Sequence, residues 1–236
     1  MLPMKPIAIL QHNAEVPSGY LGEAIAAAGL PSRLVRLYEG EPLPMLAEVS
    51  AIASLGGIMG AYEEDQHVFL APEKALLRQA VEEATPVLGL CLGCQLLADA
   101  LGGRAYRGVT HEVEFGPLEV TDEGREDPII RTLAEPVLSF HGDTFEPPPG
   151  VTILATSSLY PHAFRHGSAT AIQAHPEAGS GILRGWVERY GRDRLHEEGV
   201  DSEALLAAAK EADSAAARRA AELFGVWLGE VVATQR

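Results

Sequence analysis

The sequence predicts an α/β protein built on a largely parallel central sheet flanked by helices, and three observations predict it. Near-continuous apolar runs at residues 6–10, 51–55 and 86–90 read as strands buried on both faces. Helical segments separate them, the pattern of strands joined by crossovers and covered on both sides. After Arg104 the texture changes to short β-like runs punctuated by turn signals, which adds a small mixed or antiparallel extension. With no internal repeat or linker, the 236 residues are read as one domain over 1–236, with a C-terminal helical extension over about 179–236.

The elements follow in order. Residues 6–10 form the first strand, and the Ala-rich run 20–28 forms a helix closed by Gly29, a residue suited to a helix C-terminus. Residues 31–37 and 51–55 read as the second and third strands, 69–84 as a helix, 86–90 as a buried strand, and 92–101 as a helix closed by Gly102-Gly103. Beyond them, 113–120, 137–140, 151–156 and 169–174 read as strands separated by Pro147-Pro-Pro-Gly150 and His166-Gly167. From Asp201 the chain is helical, with Asp201 or Ser202 available as its cap. Ala209, Ala212, Ala216, Ala220, Leu223 and Trp227 recur at gaps of three and four, which makes one stripe to lay against the sheet. The same stripe suits a partner subunit, so a homo-oligomer is among the expectations.

Eighteen basic against 33 acidic side chains leave a formal charge of −15. A surface this acidic is repelled by polyanions, so neither nucleic acid nor an anionic membrane is expected as a partner. Uncharged windows such as 84–98 and 150–164 fall short of the roughly 20 residues that span a bilayer. The N-terminus lacks a small-residue cleavage site and reads as a strand rather than a signal peptide, so the expected location is cytoplasmic.

The chemistry concentrates in three places. Gly89-Leu-Cys91-Leu-Gly93 passes from strand to helix through a sharp turn that lifts a nucleophile above the sheet, with small residues where side chains would meet backbone. A cysteine at a helix N-terminus also gains thiolate character from the dipole. His175-Pro176-Glu177 follows the last predicted strand, and Pro176 leaves His175 and Glu177 at the carboxyl edge, where Glu177 can orient the imidazole. Gly56-Gly57 ends another strand and can offer backbone N–H groups to a developing oxyanion, with the N–H of Leu92 as second donor. Taken singly, each has a plain reading: close helix–sheet packing, a strand-exit loop and a simple turn.

Four segments in order resemble the class I glutamine amidotransferases, in particular stand-alone proteins similar to the glutaminase domain of GMP synthase. They are Gly56-Gly-Ile-Met-Gly60 with Tyr62-Glu-Glu-Asp65, Gly89-Leu-Cys-Leu-Gly-Cys-Gln95 with Ala100-Leu-Gly-Gly103, Ser139-Phe-His-Gly-Asp-Thr144, and Ala163-Phe-Arg165 leading to Gln173-Ala-His-Pro-Glu177. The resemblance implies a flavodoxin-like sheet and a Cys91-His175-Glu177 triad that releases ammonia from glutamine through a γ-glutamyl thioester. It also implies Gly57 and Leu92 as oxyanion donors, Gln95 against the substrate, and the Ser139, Phe140 and His141 backbone against its amino-acid head. His141 is implied as a wall element, with a lesser claim as an alternative catalytic histidine. Cys94 and Ala174 depart from the family pattern beside this site and bear on pocket shape.

There is no P-loop and no G-x-G-x-x-G, the nearest miss being Gly179-Ser-Gly-Ile-Leu-Arg-Gly185, so no cofactor is expected and any ammonia acceptor comes from a separate synthetase subunit. Two alternatives stay open: a γ-glutamyl peptide hydrolase with the same triad, and a Cys91-x-x-Cys94 redox switch or non-catalytic scaffold. His162 and His166, four apart, read as satisfied or exposed histidines, and no metal is expected.

Overall fold

The computed structural model describes residues 4–234; the outermost residues of the 1–236 domain reading and of the 179–236 extension lie outside the described residues. Strands β1 (Ile7–Gln11), β2 (Ser32–Arg36), β3 (Ala51–Ser54), β4 (Val87–Leu90) and β10 (Ala169–Ile172) pair in parallel in the order β2-β1-β3-β4-β10. Strands β9 (Pro161–His166), β8 (Ile153–Thr156) and β6 (Glu119–Val120) continue the same sheet antiparallel. A second, two-stranded antiparallel sheet is formed by β5 (Arg104–Gly116) and β7 (Val137–Glu146), whose register shifts between Arg107 and Glu112. The α/β class and the small antiparallel part are therefore as the sequence predicts.

The central strands read as unbroken apolar runs because both faces are covered. Along β1, Ile7 and Ile9 face one core and Ala8 and Leu10 the other, the period-two alternation of a strand. Helices α1 (Gly19–Ala27) and α7 (Ser202–Ala233) cover the first face, with Leu21, Ile25, Leu223, Phe224 and Trp227 buried against it. Helices α2 (Leu70–Glu82) and α3 (Leu92–Ala100) cover the second with Leu70, Leu77, Leu96 and Leu97. A third cluster joins α5 (Ser180–Tyr190), α6 (Arg192–Glu197) and the start of α7 to Val16 and Leu138, beside the carboxyl ends of the central strands.

Several elements differ from expectation for local reasons. The run 113–120 is split between β5 and β6, because Pro117 has no N–H with which to continue a ladder. Strand β7 continues to Glu146, and β9 and the short helix α4 (Asp122–Glu126) are additional. Leu37 leaves β2 for a 3-10 turn, Leu37–Glu39. Asp201 rather than Ser202 caps α7, its carboxylate accepting from the N–H groups of Glu203 and Ala204. The small-residue stripe of α7 faces this chain's own core: Ala209, Ala220, Leu223 and Trp227 are buried and Ala212 and Ala216 partly so.

Trp227 is the largest side chain with no exposed area. Trp227→Ala should cost about 3–5 kcal/mol, read as a lower urea midpoint with unchanged slope.

Candidate active site

The site is assembled where β3, β4 and β10 end side by side. Cys91 follows β4 directly and is the N-cap of α3, with φ 50° and ψ −105°. A non-glycine residue held there stores on the order of 1–3 kcal/mol, so the surroundings must over-determine it. They do so through backbone: the Cys91 N–H donates to the carbonyl of Ile172 on β10 at 2.9 Å, and the Gly93 N–H donates to the carbonyl of Leu55 after β3 at 3.1 Å. The flanking glycines are sterically required. A Cβ on Gly93 would lie 2.1 Å from the Ser54 carbonyl oxygen, and one on Gly89 would lie 2.5 Å from that of Gly93.

His175 and Glu177 stand next to this turn. The His175 N–H donates to the Leu138 carbonyl at 2.7 Å, and its Nδ1 lies 2.7 Å from Glu177 Oε1, with both side chains buried. Burial opposes a charged ring, but the Glu177 carboxylate and a hydrogen bond with the Cys91 thiol outweigh it, and the His175 pKa is pushed up to about 10. The Trp186 indole packs edge-on against the imidazole at 4.6 Å between centroids and donates its N–H to the Glu15 carbonyl. The geometry thus joins a thiol, an imidazole that keeps its proton at neutral pH, and a carboxylate that fixes the ring.

Gly56 and Gly57 lie across from them. A Cβ on Gly56 would meet His175 Cε1 at 3.0 Å and Cys91 Cβ at 3.6 Å. The carbonyl of Gly56 is held by Nδ1 of His12 at 3.1 Å, and in a trans peptide the next N–H points the opposite way, so the Gly57 N–H is turned away from His12. Among the described residues the N–H groups of Gly57 and Leu92 make no hydrogen bond, and both residues line the cleft with Cys91. His12 is itself buried: its Nε2 lies 2.9 Å from Glu73 Oε2, and Ser54 Oγ donates to the other Glu73 oxygen at 2.7 Å. Both ring nitrogens of His12 face acceptors. Burial works against the charge, but Glu73 and the carbonyls of Gly56 and Leu55 raise its pKa.

The cleft beside Cys91 has a volume of about 340 Å³. Gln95, Phe140 and His141 line it, whereas Ser139 is buried and lines neither cavity beside Cys91. Gln95 Nε2 donates to the Asp143 carbonyl at 3.1 Å and to Gln173 Oε1 at 3.2 Å, which holds its amide edge-on to the cleft floor. Arg107 and Asp143, paired across β5 and β7, bring opposite charges to the same wall. Burial raises the Asp143 pKa, opposed by the Tyr62 hydroxyl and Arg107. A second cavity of about 240 Å³ opens on the His175 side, walled by Phe140, Trp186 and Tyr190. His141 also reaches away from the thiol, with Nδ1 2.9 Å from the Asp143 carbonyl and Nε2 2.9 Å from Glu112.

Cys94 is fully buried in α3, and both cysteines are free. Its burial and the neighbouring Cys91 push its thiol pKa up, away from thiolate chemistry. His166 is exposed at the end of β9 and does not join His162. Sequence reasoning missed His12, Glu73, Arg107, Asp143 and Trp186. Of these, only Asp143 lay inside a quoted motif.

The model for class-I glutamine amidotransferases matches residues 24–185, more than half of the chain. The chain belongs to this family. A glutamine-hydrolyzing GMP synthase of Thermomicrobium roseum is 36% identical over 141 residues, 56% of this chain and 25% of that protein. A glutamine-hydrolyzing GMP synthase subunit of Thermococcus kodakarensis is 36% identical over 128 residues, 50% of this chain and 66% of that protein. The aligned part therefore spans a quarter of the first relative and less than two thirds of the second. The crystal structure of a glutamine amidotransferase of Thermotoga maritima superimposes with a TM-score of 0.84 at 29% identity, covering 94% of this chain and 97% of that one. Among the described residues no helix is long and apolar enough to cross a membrane.

The amidotransferase elbow depends on contact too close for any Cβ. Gly93→Ala should destabilise the chain by at least about 2 kcal/mol, whereas Gly181→Ala, in open space on α5, should be neutral or slightly stabilising in the same thermal melts.

Proposed function

We propose that the chain hydrolyses the side-chain amide of glutamine in the cytoplasm and passes the ammonia to an acceptor on a separate partner chain. The observation that carries this reading is the meeting of Cys91, in its strained turn, with the buried His175–Glu177 pair and the unpaired N–H groups of Gly57 and Leu92. Family membership supports the chemistry, and the relative named as a subunit supports a separate acceptor chain.

In this mechanism the Cys91 thiolate attacks the amide carbon, and the displaced π pair becomes an oxyanion that accepts from Gly57 and Leu92. The His175 imidazolium gives its proton to the amide nitrogen as the carbon–nitrogen bond breaks, and ammonia leaves a γ-glutamyl thioester. Neutral His175 then takes a proton from water while the hydroxide adds to the thioester carbon. Collapse expels the thiolate, and the new carboxylic acid loses its proton to solvent. Glu177 keeps the imidazole oriented and stabilises its charged form. His12, held by Glu73, acts through Gly56 as a positioning residue, fixing the peptide that presents the Gly57 N–H. Gln95, Phe140 and His141, with the buried Ser139 behind them, form the amino-acid side of the site, where Asp143 and Arg107 match an ammonium and a carboxylate.

A specific observation favours a second reading, a γ-glutamyl peptide hydrolase: the cavity on the His175 side is far larger than ammonia and its wall is apolar. A redox switch is disfavoured by the complete burial of Cys94.

An electrophilic glutamine analogue should label Cys91 alone, as read by peptide mass spectrometry, and glutamine should protect it. Protection by a γ-glutamyl dipeptide but not by glutamine would select the second reading. Cys91→Ala should lower turnover by about 10⁴-fold or more without unfolding the chain; retained activity would remove the thiol from the mechanism.

The charge of Glu177 is the largest of the contributions that together hold the proton on His175 against burial, so Glu177→Gln must lower that pKa. The imidazolium is then lost at lower pH. The alkaline limb of the kcat/KM profile should move down from about 10, and kcat should fall by roughly 10²–10⁴-fold. An unchanged alkaline limb would refute the orienting role.

A further inference from the structure

A cluster of which only His141 lines the cleft lies behind its wall. Glu112 on β5, His141 on β7 and His162 on β9 come from three different strands, and all three are buried. One carboxylate oxygen, Glu112 Oε2, stands 2.9 Å from His141 Nε2 and 2.8 Å from His162 Nε2, and the donor atoms all lie within 4.8 Å of one another.

The proton positions make this arrangement incomplete. Nδ1 of His141 is 2.9 Å from the backbone carbonyl of Asp143, and a carbonyl can only accept, so Nδ1 carries the hydrogen. The neutral ring then presents a bare lone pair at Nε2 to a carboxylate oxygen, two acceptors at contact distance. Nε2 of His141 makes no hydrogen bond despite this proximity, and Nδ1 of buried His162 is likewise without a partner. Buried polar atoms left in this state are costly, and a cation between the acceptors removes the conflict.

We propose that Glu112, His141 and His162 form a divalent metal site of zinc type, with Nε2 of each histidine and a Glu112 oxygen as ligands. Two imidazoles and one carboxylate suit zinc rather than magnesium or calcium, which take oxygen ligands. The Nδ1–H of His141 donating to a carbonyl is the outer hydrogen bond that a metal-bound histidine characteristically makes. Tetrahedral ligands at zinc distances stand roughly 3.3 Å apart, so the three side chains need to open by about half an ångström. His141 lines the cleft, which gives the ion a route inward. Once bound, it ties the two-stranded sheet, through Glu112 and His141, to β9 of the main sheet. That fixes the β7 wall bearing Phe140 and His141. The role is structural and does not rest on the amide-hydrolysis reading.

The test uses untagged, chelator-treated full-length chain in a Cys91→Ala background, so that the cleft thiol takes up no metal. Zinc sulfate titrated by calorimetry should bind at one equivalent per chain and raise the melting temperature, while magnesium should do neither. His162→Gln should lose that equivalent and the zinc-dependent shift while keeping the far-ultraviolet circular dichroism of the parent. X-ray absorption at the zinc edge of the loaded chain should report two imidazole nitrogens, a reading that stands even if the variant fails to fold. No zinc uptake by the parent, uptake undiminished in His162→Gln, or an edge spectrum without imidazole would each overturn the site.

Discussion

The structure turns on the backbone of Cys91. A left-handed φ at a non-glycine residue is unfavourable, and it persists here because neighbours on both sides bind the turn: β10 through the N–H of Cys91 and the end of β3 through the N–H of Gly93. One tight turn therefore registers three strand ends against each other. His175 leaves β10 and Gly56 leaves β3, so the same two hydrogen bonds that hold the turn also set the distances from the thiol to its neighbours. Gly89 and Gly93 follow from that constraint, since the helix must start within van der Waals contact of the adjacent strand.

Two buried histidine–carboxylate pairs flank the turn, and in both the charges offset a large desolvation cost. His175 with Glu177 faces the thiol, and His12 with Glu73 backs the Gly56 carbonyl. Removing one member of either pair leaves the other charge buried alone, which is costlier than the net worth of the pair. The pairs are better understood as devices that fix protons and peptide planes than as sources of stability.

How much was legible in the sequence follows from how local each feature is. The elbow, His175-Pro176-Glu177 and Gly56-Gly57 are contiguous motifs whose geometry is set by their own turns, and the parallel core is visible because strands buried on both faces are mostly apolar. His12 and Glu73 are 61 positions apart and carry no spacing signal; only the strand order brings them together. Arg107 and Asp143 meet through the pairing of β5 with β7, at the last position before the register shifts, which no local pattern encodes. His162 drew attention beside His166, but an interval of four says nothing about depth along a strand. His166 falls at the exposed end of β9, while the partners of His162 come from β5 and β7. The helices α5 and α6 were visible only as a helical tail, because their function lies in where they dock.

That docking bears on which substrate the site takes. Under the amide-hydrolysis proposal ammonia leaves toward the imidazole that protonates it, and a passage for ammonia alone can be narrow. Here this chain's own α5 supplies Trp186 and Tyr190 to that side, with Phe140 from β7 closing the wall through edge-on aromatic contacts. Arg189 and Arg194 stand at its rim. Glu15 lines the same cavity and pairs with Arg189 at 3.6 Å, and Arg194 pairs with Glu198 at 3.5 Å, so matched charges lie outside an apolar wall. The same wall fits the apolar part of an amine leaving group, whose free carboxylate would meet the rim. On either proposed reading, the position of α5, more than the Cys91 turn, shapes the space open to the leaving group.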